Sequence, residues 1–320
     1  MLAPEAPRWP ALRAGRGHYE SFYVRAVDPR RPRGVWIRYT VSVPPHGGPS
    51  GRLWCVLFDR DRPAPVALRA DAGPVTTGNG SLLGLGTSTF DEGAADGALD
   101  TSAGSAQWSL RWAAGAPPLL HLPRAVYGTR LPRTKLISLN PATVFDGRLV
   151  VDGEEISVER WSGMVGHNWG EEHAAHWMWL HGVDFAGAGP DTWLDLALAR
   201  IRIGSALSPW SAFGAASTGG RRIILGGPGR RISVREEPTG CRVRIRGWGL
   251  RATVDVSAPA DAFAAWDYPA PDPAAPPRDV VNCSVADLTL QVERSGQPTR
   301  QLVAAATGVY ERGRERTGRA

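Results

Sequence analysis

Four of the seven histidines fall within fifteen residues, in the run His167-Asn168-Trp169-Gly170-Glu171-Glu172-His173-Ala174-Ala175-His176-Trp177-Met178-Trp179-Leu180-His181. Imidazole moves protons near neutral pH, and the face of an indole attracts positive charge. The chemistry that such a mixture suggests is proton transfer beside a cation. Read as a strand, Trp177 to His181 has a period of two, which puts Trp177, Trp179 and His181 on one face and Met178 and Leu180 on the other. The next apolar run, Trp193 to Leu198, is interrupted by Asp195, and a hairpin would set that carboxyl beside the aromatic wall. Burial among apolar groups raises a carboxyl towards the neutral form that can protonate an alkene. Asp195 is therefore the candidate acid, with Trp169, Trp177 and Trp179 around the resulting carbocation. His167 would position or deprotonate a water, or take up the final proton. The plainer alternatives are that Asp195 pairs with Arg200 or Arg202, and that His167 to Gly170 is a tight structural corner plugged by Trp169.

Other constellations lead elsewhere or nowhere. Glu171, Glu172, His173 and His176 contain a His-x-x-His spacing, but the order is the reverse of a zinc-protease helix and the context reads as a loop, so no metal is expected. Gly78 to Gly86 has no Lys-Ser/Thr ending and reads as a flexible hairpin rather than a phosphate loop. No Gly-x-Ser-x-Gly surrounds Ser162, Ser205 or Ser208. Cys55, Cys241 and Cys283 are odd in number and form no Cys-x-x-Cys pair, which fits a reducing cytoplasm.

The elements that must position these residues are strands. Runs rich in β-branched and aromatic residues, bounded by Gly, Pro, Asn or Asp, occur at Tyr19 to Arg25, Gly34 to Val43, Arg52 to Asp59, Ala106 to Ala113, Thr134 to Leu139, Val144 to Val151 and Glu155 to Val165. A second set covers Trp177 to Phe185, Thr192 to Ile203, Arg221 to Leu225, Arg231 to Glu236, Cys241 to Ala252, Ala286 to Val292 and Gln301 to Arg312. No long segment has helical periodicity, so the fold class is all-β. At 320 residues the chain is long enough for two domains. Residues 1–17 read as a disordered arm and 313–320 as a tail. The Ala/Pro-rich stretch 257–279, with Phe263, Trp266 and Tyr268, is either a long loop or a lid.

Thirteen Trp against seven Phe is an unusual apolar choice, suited to lining a pocket with rings. The formal charge of +6 comes from Arg scattered among acids, with Lys135 the single lysine, so no nucleic-acid face is expected. No apolar run reaches the ~18 residues of a transmembrane helix, and Met1 to Gly17, broken by prolines, lacks a signal-peptide core. A cytoplasmic protein is expected.

Tyr19-Glu20-Ser21, the Asp28-Pro29 turn, the Trp36 strand, His167-Asn168-Trp169-Gly170 and Trp177-Met178-Trp179 resemble the superfamily of carotenoid 1,2-hydratases, tocopherol cyclases and AttH-like proteins. The resemblance implies two tandem lipocalin-like antiparallel β-barrels, here 18–174 and 175–312, with the motif near their junction. It also implies a bulky hydrophobic ligand, an isoprenoid or polyketide. The hydratase branch associates a His-x-Trp pair and a Tyr-x-Asp pair with activity; the first falls on His167 and Trp169, the second on Trp193 and Asp195, where Trp replaces the tyrosine. Asn168, Trp169, Trp177, Trp179, His181 and Trp193 are the expected ligand-binding residues. The expected function is cofactor-free, acid-promoted hydration or cyclisation of such a molecule, and the alternative is a non-catalytic carrier of it.

Overall fold

The computed structural model describes residues 6–11, 15, 17–78, 81–247 and 249–316. Two antiparallel sheets account for nearly all regular structure. The first, of twelve strands, runs from His18 to Gly170 and curls into a nearly closed barrel. Its order is 66–72, 50–59, 33–43, 18–27, 154–170, 134–151, 104–112, 94–101, 88–90, 81–85 and 75–78, with Leu119–Leu120 beside 134–151. The second, of ten strands, runs from His176 to Glu315 as a half-barrel. Its order is 221–224, 211–218, 193–200, 176–182, 300–315, 278–294, 250–257, 240–247 and 231–237, with Ala264–Tyr268 beside 278–294. The chain is thus all-β, with two tandem lipocalin-like barrels, and no helix among the described residues is long and apolar enough to cross a membrane.

Where the two sheets meet can be read from burial along the strands. Gly104–Trp112 alternates buried and accessible residues, as a barrel wall facing water must. His18–Val27 is buried at every position. One of its faces, with Phe22, Val24 and Ala26, belongs to the first barrel's core, where Ile37, Tyr39, Phe90, Trp108, Phe145 and Trp161 also pack. The other face packs on the second sheet: Tyr23, Trp36, Trp54, Val56, Phe58 and Met164 join one cluster with Trp179, Leu194 and the second barrel's core. The same double coverage holds for Trp193–Leu196. We call this contact between the sheets the joint.

Two long strands bend at bulges. Thr134–Val151 shifts register between Ser138 and Thr143, around Pro141, and Arg278–Arg294 shifts between Cys283 and Leu288. Bulges free carbonyls from the ladder, and the joint uses them. Arg25, fully buried, donates through Nη2 to Ser284 O and Thr307 O, both at 2.7 Å, and through Nη1 to His181 Nδ1 at 3.4 Å. His181 Nε2 in turn donates to Pro141 O at 2.9 Å.

Some expected boundaries differ. Cys241 to Ala252 is two strands, Gly240–Gly247 and Leu250–Ser257, paired antiparallel, and Gly249 at the entry to the second adopts φ +66°. The final strand continues to Glu315, so the expected tail begins inside it, and residues 317–320 lie outside the described set, as do 1–5, 12–14 and 16 of the expected arm. The arm's Trp9–Ala11 forms a single turn, and Arg8 and Trp9 donate backbone N–H groups to Glu20. Asn79 and Gly80 of the expected Gly78 to Gly86 hairpin are likewise outside it. In the stretch 257–279, Ala264–Tyr268 is a strand that carries Trp266 and Tyr268 onto Trp54.

Candidate active site

The strand His176–Gly182 pairs with Trp193–Arg200 in the register His181↔Asp195 and with Arg300–Glu315 in the register Trp179↔Glu311. Directly opposed residues share a face, so Trp177, Trp179, His181, Asp195 and Glu311 all look into the joint. Each indole of the Trp-x-Trp pair hands its N–H to a different carboxyl. Trp177 Nε1 donates to Glu311 at 2.9 Å, and Trp179 Nε1 donates to Asp195 at 3.0 Å.

These two carboxyls are driven in opposite directions. Burial raises Glu311, and the hydrogen bonds from Trp177 and Asn282 and the charge of Arg38 do not undo it. Burial also pushes Asp195 up, but His121, His181 and the Ser138 hydroxyl more than offset this and hold it at about 2. Ser138 Oγ donates to Asp195 Oδ2, and His121 Nε2 lies 3.4 Å from the same oxygen. Asp195 is thus an anion clamped by His121 and Ser138 of the first domain and by Trp179 and His181 of its own sheet, not the neutral acid that burial alone leads one to expect. Arg200 and Arg202 are not its partners: Arg200 bonds Ser208 O and Arg202 bonds Glu315.

Around Glu311 the walls are aromatic. Tyr268 lies 5.2 Å from Trp54 and 6.3 Å from Trp177, centroid to centroid, and Tyr23 meets Trp179 edge-on at 5.7 Å. Two glycines allow this close packing. A Cβ on Gly313 would sit 2.1 Å from the Trp177 ring, and one on Gly166 would sit 2.2 Å from the Tyr23 ring. Trp177, Glu311, His173 and Asn168 keep part of their surface accessible although they belong to the joint. Burial drives the His173 imidazole well below its ordinary range, and the Arg38 and Arg278 charges add to this, leaving it neutral.

The expected site residues therefore separate into two groups. Asp195, Trp177, Trp179 and His181 come together, and Trp193 lies two residues from Asp195 on the same face, packed with Val27, Leu119 and Ala142 under Arg222. His181 serves the contact between domains: burial and the neighbouring Arg25 lower it to about 4, so it is neutral and bridges Arg25 to Pro141. His167 and Trp169 point the other way, into the first barrel, and are not brought to Asp195. His167 stacks 4.1 Å from Phe22 and 4.6 Å from Trp169, and its Nε2 is 2.6 Å from Glu20. Asn168, between them, faces the joint opposite Ser21. His173 and His176 diverge, the first onto Tyr19 and the second onto Glu236 and Trp210.

Sequence reasoning passed over Glu311, Arg38, Tyr23, His121 and Ser138, and named Tyr268 only as part of a loop or lid. Arg38 had a signal: it is the one charged residue within Gly34 to Val43 and shares the parity of Trp36. Glu311 had little, because it stands among charged neighbours at the end of a strand.

Comparison with known proteins agrees with this architecture. No protein-family model matches the chain. Two curated relatives, uncharacterized proteins of two Mycobacterium tuberculosis strains, are 30% identical over 181 residues, which is 55% of this chain and 51% of theirs. The chain thus matches about half the length of those relatives. Among solved structures, a putative AttH from Nitrosomonas europaea superposes with TM-score 0.58 at 16% identity, covering 98% of this chain and 96% of that one. CghA with Sch210972 gives 0.60 at 12% identity, covering 98% and 93%. Kievitone hydratase from Nectria haematococca gives 0.52 at 10%, covering 95% and 90%. The chain has the same tandem lipocalin-like fold as these proteins.

Proposed function

We propose that the joint binds a bulky hydrophobic small molecule, an isoprenoid or polyketide, and promotes its hydration or cyclisation by acid without a cofactor. The observation that carries this reading is the pair of carboxyls on the Trp-x-Trp strand, one raised and one lowered, since titratable groups pushed apart by their surroundings mark acid and counter-ion roles. Glu311 donates its proton to the ligand's double bond. The cation that forms lies among the rings of Trp177, Trp179, Trp54 and Tyr23, where cation–π attraction in a desolvated site is worth about 2 kcal/mol. Asp195, held ionised, adds a fixed negative charge. Water, or a nucleophilic group of the ligand itself, then attacks, and its surplus proton returns to the Glu311 carboxylate. No cofactor is consumed, and the acid is regenerated. That one solved neighbour is a hydratase lends the hydration branch support.

The test is a panel of unsaturated terpenoids and polyketides incubated with the protein and followed by mass spectrometry for gain of one water or for isomerisation. Glu311→Gln keeps the shape and an acceptor for Trp177 but has no acidic proton, and turnover should fall by about 100-fold or more. Undiminished turnover in that variant would remove Glu311 from the mechanism. The carrier reading draws on a separate fact, that Asp195 and His167 are both fully buried and paired; it is favoured if panel members bind and return unchanged from the wild-type protein.

A further inference from the structure

Three arginines are buried in the described structure: Arg25, Arg38 and Arg278. Arg25 and Arg278 donate to backbone carbonyls, Arg25 to Ser284 and Thr307 and Arg278 to Ala174 and Pro276. Arg38, 5% exposed, hydrogen-bonds neither a carbonyl nor a carboxylate among the described residues. Its Nε donates to Ser21 Oγ at 2.9 Å, and its guanidinium is caged by the rings of Tyr268, Trp54 and Trp36 at 4.8, 5.9 and 6.0 Å. The Tyr268 phenol and the Glu311 carboxyl both lie within range of its charge. The indole N–H groups of Trp36 and Trp54 are also buried, with no hydrogen-bond partner among the described residues.

The result is a concentration of N–H donors with one hydroxyl acceptor among them. The aromatic cage favours the charge by cation–π attraction but supplies no hydrogen-bond acceptor. What the site lacks is a compact anion. Arg is the side chain suited to hold a planar one through two parallel hydrogen bonds.

We propose that Arg38, with the Trp36 and Trp54 indole N–H groups, is the head-group site of the ligand, and that the ligand is a hydrophobic molecule bearing a planar oxyanion, a carboxylate or the enolate of a 1,3-dicarbonyl. This rests on the joint being the ligand site and narrows its occupant: acidic polyketides and isoprenoid acids fit, neutral hydrocarbons do not. The geometry also couples binding to chemistry. Arg38 is the charge that favours ionised Glu311. An anion on Arg38 cancels that pull, so Glu311 holds its proton most firmly when the ligand is seated. The head group anchors one end of the molecule, and the double bond to be protonated lies within reach of Glu311.

The experiment compares oleate with oleyl alcohol, equal in chain and different in charge, at submicellar concentration by tryptophan fluorescence and calorimetry. At pH 8 the wild-type protein should bind oleate at least about 10-fold more tightly, and the preference should shrink as the pH falls below about 5, where the ligand's carboxyl protonates. In Arg38→Met the ratio should fall to near one with oleyl alcohol affinity within about 2-fold of wild type, and Arg38→Lys should keep part of the preference. Equal affinity for the two in the wild-type protein overturns the head-group assignment while leaving the joint as an apolar site. A preference that survives in Arg38→Met assigns the anion elsewhere and overturns it too. If neither binds, the joint is not a site for such molecules and both readings fall. The wild-type ratio and its pH dependence decide the matter even if a variant fails to fold.

Discussion

Arg25 and Arg38 stand on paired strands, on the same face of the same sheet: Arg25 opposes Trp36, and Tyr23 opposes Arg38. Both are buried in the joint and neither has a carboxylate within ion-pair distance among the described residues. Arg25 nevertheless has its charge shared by two carbonyls and an imidazole nitrogen, all from the second domain. Burial lowers it to about 9, still well above neutrality, so it remains a cation. Arg38 meets mostly ring faces. Arg25 leaves its own Nε without a partner but is fastened through both Nη groups to the second domain, whereas Arg38 has one hydrogen bond, to Ser21 in its own sheet, and an aromatic cage. The joint thus has a closed end, at Arg25, His181 and Asp195, and an incomplete one, at Arg38, Glu311 and Tyr268.

The largest effect expected from this contrast is on stability at the closed end. Arg25→Met strands the Ser284 and Thr307 carbonyls and the His181 nitrogen in a dry interface, at about 1–3 kcal/mol per buried orphan, so denaturant unfolding should reveal a loss of about 3–5 kcal/mol. A loss below about 1 kcal/mol would break the comparison. Next comes the acid response. His181 is neutral in the fold, with its value lowered from 6.5 to about 4. Its contribution is therefore present above pH 6.5, where neither folded nor unfolded chain holds the proton, and is lost as the pH falls towards 4, because the unfolded chain takes up the proton first. About 3 kcal/mol should disappear across that window. His181→Gln should reduce the slope of the melting-temperature profile there, leaving the shares due to His18, also lowered to about 4, and to His173, driven well below its ordinary range. Smallest is Arg38→Met without ligand. It loses one hydrogen bond and the ring contacts but also relieves an unpaired charge, so stability should change by about 1 kcal/mol or less. A loss as large as that of Arg25→Met would mean that both ends are fastenings.

How much of this was legible beforehand depended on whether the signal was local. The strands rich in Val, Ile and Trp declared themselves, and the parity of Trp177, Trp179 and His181 put them on one face, as the structure has them. Strands such as Ser211–Thr218 and Ala94–Thr101, made mainly of Ala, Gly, Ser and Asp, have β-branched residues only at their last positions and owe their conformation to pairing with neighbours. The joint was harder still. The charge state of Asp195 depends on His121 and Ser138, 74 and 57 residues away in sequence (195 − 121 and 195 − 138), and nothing in the run Trp193 to Leu198 announces them. His167 and Trp169 illustrate the reverse: the motif was conspicuous, but a period of two turned it away from the carboxyl it was expected to serve.

The fastening at Arg25 also bears on time. Its two carbonyl acceptors lie 259 and 282 residues further along the chain. At a synthesis rate of about 5–20 residues per second, that separation is on the order of 15–60 s. For that interval the first barrel can close only with one outer face unfinished: Arg25 hydrated, Trp36 and Trp54 uncovered, and the last strand still to arrive. Until the residues around Thr307 arrive, that face of the first barrel lacks the cover it has in the finished fold.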